Sequence, residues 1–271
     1  MAPHSRLMLS QSSIQDYSDC PRRFKLHYLD RLTYPAIESE PALENEIKQQ
    51  EGQLFHRLVQ QFLLGMDGEI LGRLAASPDL SRWWRNYLDH GPALQGCTLF
   101  PEYSLSAVLG ASRLLAKYDL IAIRGEKILI YDWKTYTHQP RKDWLAARWQ
   151  TRVYPALLAR CGGFLIGQES IPPQKIRMHY WFPEFPGEPA VFDYTPEQFR
   201  RDWSALESLA GEILSIQEFP KTDDLAKCKY CTYRSYCGRG QAASMEAGQE
   251  GEWELPAASD IDFEQIGEIA F

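Results

Sequence analysis

A chain of 271 residues with 44% hydrophobic and 24% charged residues has the size and composition of an ordinary soluble globular protein. No run of roughly 18 apolar residues offers a membrane helix, and no charged-then-apolar leader opens the sequence, so a cytoplasmic protein is expected. The net charge of −7 argues against a nucleic-acid binder only until it is placed: eight acids with no Lys or Arg lie in residues 245–271, leaving 28 acidic against 29 basic residues in the body.

In chain order, Ser10, Ser12 and Ser13 open an amphipathic segment read as helix to Leu32, carrying Cys20 and the string Pro21-Arg22-Arg23-Phe24-Lys25. After a polar loop at 35–45, Leu54, Phe55, Leu58, Val59, Phe62 and Leu63 recur at helical spacing within 45–66, a helix that also carries His56. A second helical region, rich in Trp and Arg, covers 69–90. Residues 97–134 change to the period of strands, 143–160 return to helix, 174–182 alternate like a strand, and 196–217 are helical again. The expected organisation is one domain over 1–243 and an acidic, solvated tail over 244–271.

Turn chemistry turns the strand region into a site. A turn centred between Gly125 and Glu126 places Asp119 opposite Asp132, and one centred between Gly110 and Ala111 places Glu102 opposite Asp119. Three carboxylates then lie side by side across a meander whose flanking residues, Leu120, Ile121, Ile128 and Ile130, belong to a buried sheet. Like charges opposed across strands are destabilising, so the arrangement calls for a divalent cation. Lys134 projects from the same face as Asp132, because strand side chains alternate, and a metal-holding carboxylate beside an ammonium is what phosphodiester hydrolysis requires. Gln150 and Tyr154, four apart on the next helix, share a face that can approach substrate.

Cys20 and the distant trio Cys228, Cys231 and Cys237 offer four thiolates to a metal centre that clips the two ends of the domain together; zinc and an iron–sulfur cluster both suit such a set. Cys97 and Cys161 stand alone and read as small core residues. Basic residues interleaved with aromatics suit backbone neutralisation and base stacking on single-stranded DNA: Arg22 and Arg23, Arg148 and Arg152, and Lys229.

The ordered set His56, Glu102, Asp119, Asp132-Trp133-Lys134, Gln150 and Tyr154 resembles the RecB-like branch of the PD-(D/E)XK nuclease superfamily over roughly residues 7–240. The opening string from Ser10 through Cys20-Pro21-Arg22-Arg23-Phe24 and the cysteine pattern resemble its iron–sulfur subgroup, found in AddB-type and CRISPR-associated RecB-like nucleases. The resemblance implies an α/β fold, an α+β restriction-endonuclease-like core whose mixed sheet holds a three-stranded antiparallel meander plus a further strand flanked by helices. It implies a [4Fe–4S] clasp on Cys20, Cys228, Cys231 and Cys237 joining the N- and C-terminal segments. It also assigns His56, Asp119 and Asp132 as ligands of Mg2+ or Mn2+, Glu102 as a further ligand or its support, and Lys134 as the catalytic lysine.

The expectation is a metal-dependent deoxyribonuclease, an exonuclease on single-stranded or frayed DNA ends, in DNA repair or CRISPR adaptation beside a helicase or integrase partner. A non-catalytic DNA-binding or scaffolding subunit of such a complex is the alternative, and the joint presence of Asp119, Asp132 and Lys134 speaks against it.

Overall fold

The computed structural model describes residues 7–32, 40–229 and 231–239, with side chains from 47 onward in the second stretch; the acidic tail lies outside them. The chain enters through a two-residue strand β1 (Met8–Leu9) and the helix α1 (Gln11–Asp19). Ser10 caps α1: its hydroxyl accepts the Ser13 N–H while Ser13 Oγ accepts the Ser10 N–H, a reciprocal capping box. The single helix expected from Ser10 to Leu32 does not form. Pro21 forces the residue before it out of the helical region, so Cys20 is extended at φ −162°, and the chain restarts as α2 (Pro21–Phe24) followed by a π-helical turn over Lys25–Leu29. Cys20 therefore sits at a joint between helices.

The helix α3 (Glu40–Leu63) carries His56, and the region 69–90 resolves into α4 (Gly68–Gly72) and α5 (Pro78–His90). The strands β2 (Thr98–Leu109), β3 (Ser112–Arg124) and β4 (Lys127–Trp133) form the expected meander. Its turns are the two anticipated: Gly110 and Gly125 have φ of 60° and 57°, values that two-residue hairpin loops require and glycine adopts without strain. Two helices, α6 (Lys142–Ala147) and α7 (Trp149–Cys161), cross over to β5 (Ile176–Trp181), parallel to β4. A short edge strand β6 (Ala190–Asp193) pairs antiparallel with β5, and α8 (Pro196–Ser215) follows. The sheet is thus mixed, in the order β1-β3-β4-β5-β6 with β2 on the other edge of β3.

Helices cover both faces. One core joins Tyr17 and Phe24 of the first helices, Val153, Tyr154, Leu157 and Leu158 of α7 and Leu206 of α8 to Ile121, Ile130, Met178 and Tyr180 of the sheet. The other joins Phe55, Leu58, Trp83, Trp84 and Tyr87 of α3 and α5 to Leu120, Ala122, Tyr131, Trp133 and Trp181.

The hairpin of β2 and β3 is too long to stay on one face of a twisted sheet. Leu120 and Ala122 belong to the core under α3, yet Tyr118, Ala116 and Leu114, on the same alternation, belong to the other. At this change of side the ladder runs from Pro101↔Leu120 to Tyr103↔Tyr118 and omits the pair between them, Glu102 and Asp119; Glu102 has φ 53°, uncommon for a residue with a Cβ.

The two ends of the chain meet. The Tyr17 hydroxyl donates to Glu212 Oε1 at 2.8 Å, the Arg22 N–H donates to the Pro220 carbonyl at 3.0 Å, Lys227 pairs with Asp19 at 3.1 Å, and the Phe24 ring stacks on Phe219. Among the described residues no helix is long and apolar enough to cross a membrane.

Candidate metal centre

The register read from the turns is the register formed: Pro101↔Leu120 and Tyr103↔Tyr118 bracket Glu102 and Asp119, and Leu120↔Tyr131 places Asp119 one step from Asp132. Asp132 lies on the face of β4 opposite Trp133, which is buried in the core under α3. The N–H of Lys134 donates to the Trp181 carbonyl and prolongs the β4/β5 pairing, which holds the lysine beside Asp132: Nζ is 3.0 Å from Asp132 Oδ2. From the other side, α3 passes so near the segment after β4 that a Cβ on Gly52 would lie 2.9 Å from Thr135 Oγ1. One turn later His56 reaches the sheet, with Nδ1 3.4 Å from Asp119 Oδ2.

The carboxylates are not equivalent. One ligand atom each from His56, Glu102 and Asp119 fall within 4.8 Å of one another, a compact set of nitrogen and oxygen donors. Asp119 Oδ2 also accepts the Trp133 N–H at 2.8 Å, and Glu102 Oε2 pairs with Lys117 Nζ at 2.5 Å. Asp132 stands beside this trio, with Oδ1 accepting from Gln150 Nε2 at 2.7 Å. Its Oδ2 is buried and makes no hydrogen bond; Lys134 meets its charge without bonding geometry. An orphaned carboxylate oxygen next to an N/O donor trio fits a hard divalent cation.

The charges respond accordingly. Burial pushes Asp132 up to about 7, assisted by the charge of Asp119 and opposed by Lys134. Burial acts the same way on Asp119, but His56, the Trp133 N–H and Lys134 outweigh it and hold that carboxyl below its ordinary range. Burial disfavours a charged His56, and the facing Asp119 more than compensates, raising it. Glu102 is raised by burial and by Asp119, against Lys117 and His56.

The other anticipated residues divide. Gln150 reaches the site because α7 starts in the right place: the Trp149 N–H donates to Gln15 Oε1 at 3.2 Å and its indole N–H to Ser18 Oγ at 2.7 Å, so α1 supplies the cap that Arg148 does not. Tyr154, expected near substrate, is instead buried and its hydroxyl donates to the Lys117 carbonyl at 2.8 Å, while the Tyr118 hydroxyl donates to the Tyr154 carbonyl. The pair bolts α7 to β3.

Arg23 is held by Asp16 at 2.7 Å and Asp19 at 3.1 Å, and Arg152 by Asp202 at 2.8 Å while it stacks on Trp149. Both differ from the surface placement expected of them, because each guanidinium neutralises a half-buried or buried acid. Arg22 is also partly buried, Arg148 lies over Trp144, and Lys229 is exposed. Cys20, Cys228, Cys231 and Cys237 line one small pocket with Arg23, Lys221, Lys227, Arg234 and Arg239, and none forms a disulfide. Sequence reasoning missed Lys117, Gln15 and Tyr118, whose spacing carries no signal without the fold.

A twisted mixed sheet that gathers carboxylates from three adjacent strands beside a lysine, with a histidine brought in by a covering helix, defines a nuclease-type core. The chain belongs to the PD-(D/E)XK nuclease superfamily, whose family model matches residues 8–238. Among solved structures it is similar to the protein SSO0001, at 14% identity over 87% of this chain and 88% of that one with a TM-score of 0.40. It is also similar to a candidate exonuclease from Eubacterium rectale, at 11% identity over 82% and 86% with a TM-score of 0.48. No curated protein matches the sequence.

Asp132 yields a prediction. A carboxyl raised from 3.8 to about 7 binds more protons folded than unfolded, so its cost to stability grows as pH rises across that window. In chelator-treated protein, Asp132→Asn should raise the unfolding free energy by about 1–3 kcal/mol at pH 8 and by less at pH 5. Urea unfolding at the two pH values measures it; no gain at pH 8 contradicts the assignment.

Proposed function

We propose that the protein is a Mg2+- or Mn2+-dependent DNA nuclease, an exonuclease on single-stranded or frayed ends. The observation that carries this reading is the convergence of His56, Glu102, Asp119, Asp132 and Lys134 at the twist of the sheet. His56, Glu102 and Asp119 would hold the ion, with Asp132 Oδ2 the nearest further oxygen. Bound there, such an ion supplies Lewis-acid activation of water and neutralises phosphate charge. The protein's own groups do the rest. Lys134 Nζ steadies charge that develops on the phosphate, and Gln150 and the Trp133 N–H fix the carboxylates, so that little reorganisation accompanies the reaction.

The four thiols support an iron–sulfur clasp of the AddB-type and CRISPR-associated kind. Tetrahedral zinc at about 2.3 Å from each sulfur needs sulfurs about 4 Å apart. Among the described residues no three of these thiols lie within 4.8 Å of one another, a spread that suits the wider [4Fe–4S] cube. Five cationic residues round the pocket offset the negative charge of thiolate ligation. The clasp holds the terminal segments of one domain, 1–243, against the nuclease core. A cytoplasmic role in repair or CRISPR adaptation beside a helicase or integrase accords with the resemblance of the motifs.

Two outcomes test the reading. With Mn2+ or Mg2+ the full chain should degrade end-labelled single-stranded DNA, and Asp132→Ala or Lys134→Ala should each lower the rate by at least about 100-fold; cleavage unchanged in both variants refutes it. Cys228→Ala should lose iron and visible absorbance and lower the melting temperature, and unchanged iron content with an unchanged spectrum refutes the cluster.

A further inference from the structure

Two lysines flank the carboxylates, and they stand in different surroundings. The side chain of Lys134 is 16% exposed against an Asp132 that is 3% exposed, whereas that of Lys117 is 42% exposed against a Glu102 that is 15% exposed. Lys134 belongs to the floor of the site and Lys117 to its mouth. The backbone of Lys117 is fixed, since its carbonyl accepts the Tyr154 hydroxyl and the neighbouring Tyr118 is tied to α7. Its four-carbon side chain keeps its freedom.

Glu102 is shared between two cations. Its carboxylate pairs with Lys117 and also belongs to the ligand trio with His56 and Asp119. A dication held by the trio stands as a like charge close to the Lys117 ammonium and weakens its hold on Glu102. The displaced ammonium then faces solvent at the rim, where a polyanion following the carboxylates passes. We propose that Lys117 is a phosphate-binding residue of the nuclease site. It restrains Glu102 while no divalent ion is bound and turns to the substrate backbone once one is. The inference rests on the nuclease reading above.

Opposite effects on two ligands separate this role from simple support of Glu102. In the full chain, Lys117→Gln should bind Mn2+ several-fold more tightly in the absence of DNA, because Glu102 is released from its competing partner. With Ca2+ present, the same variant should bind a phosphorothioate single-stranded oligonucleotide more weakly. The slope of log affinity against log salt should flatten by about 0.7, the loss of one phosphate contact on a single strand. Lys117→Arg should keep the wild-type slope.

Loss of both Mn2+ and oligonucleotide affinity in Lys117→Gln would make the lysine a structural prop and overturn the proposal, as would an unchanged salt slope. If wild-type protein takes up Mn2+ and oligonucleotide while Lys117→Gln behaves identically, the role of Lys117 fails alone. If wild-type protein takes up neither, the nuclease reading fails and this role with it.

Discussion

Carboxylates packed together away from water repel one another and lose hydration, and the fold is arranged around that unfavourable fact. Each acid at the seam has its own answer. Asp119 has His56 and the Trp133 N–H, Glu102 has Lys117, and Asp132 has the Gln150 amide on one oxygen and only the nearby Lys134 charge on the other. The answers grow weaker in that order, which is why Asp132 is pushed to about 7 while Asp119 is held low. A divalent cation completes the one deficit that the protein leaves.

Holding such a cluster requires a rigid frame, and two cores supply it from opposite faces of the sheet. The core under α3 and α5 sets the distance from His56 to the strands, and Gly52 permits the close approach. The core under α7 sets Gln150, through a helix whose first turn is capped by Gln15 and whose middle is tied to β3 by the Tyr118 and Tyr154 hydroxyls. The site lies where the β2/β3 hairpin passes from one core to the other, and the left-handed backbone of Glu102 lies at that passage. Backbone strain kept at such a point costs of order 1–3 kcal/mol and persists only where the surroundings fix it.

The sequence made the meander and its acids legible because antiparallel register is a local property: once Gly110 and Gly125 mark the turns, arithmetic aligns Glu102, Asp119 and Asp132. The helices at 45–66, 143–160 and 196–217 were legible through periodicity, and the break at Cys20 was visible in Pro21 but outweighed by the amphipathic pattern on either side. β1 and β6, of two and four residues, are too short for any period and form only because neighbouring strands offer unpaired edges. The roles of Lys117, Arg23, Arg152 and Tyr154 were not legible, since a side chain's partner across the fold decides whether it serves substrate or structure. Tyr154 shares a helical face with Gln150, yet the strand beneath it takes its hydroxyl.

The central claim, that the carboxylate seam is built for a divalent ion, is tested most directly by the thermal stability of chelator-treated protein titrated with Mn2+. Binding to the folded state alone predicts a melting temperature that climbs with Mn2+ concentration in the wild type and stays flat in Asp119→Asn. A wild-type melting temperature indifferent to Mn2+, or a rise of equal size in Asp119→Asn, would contradict it.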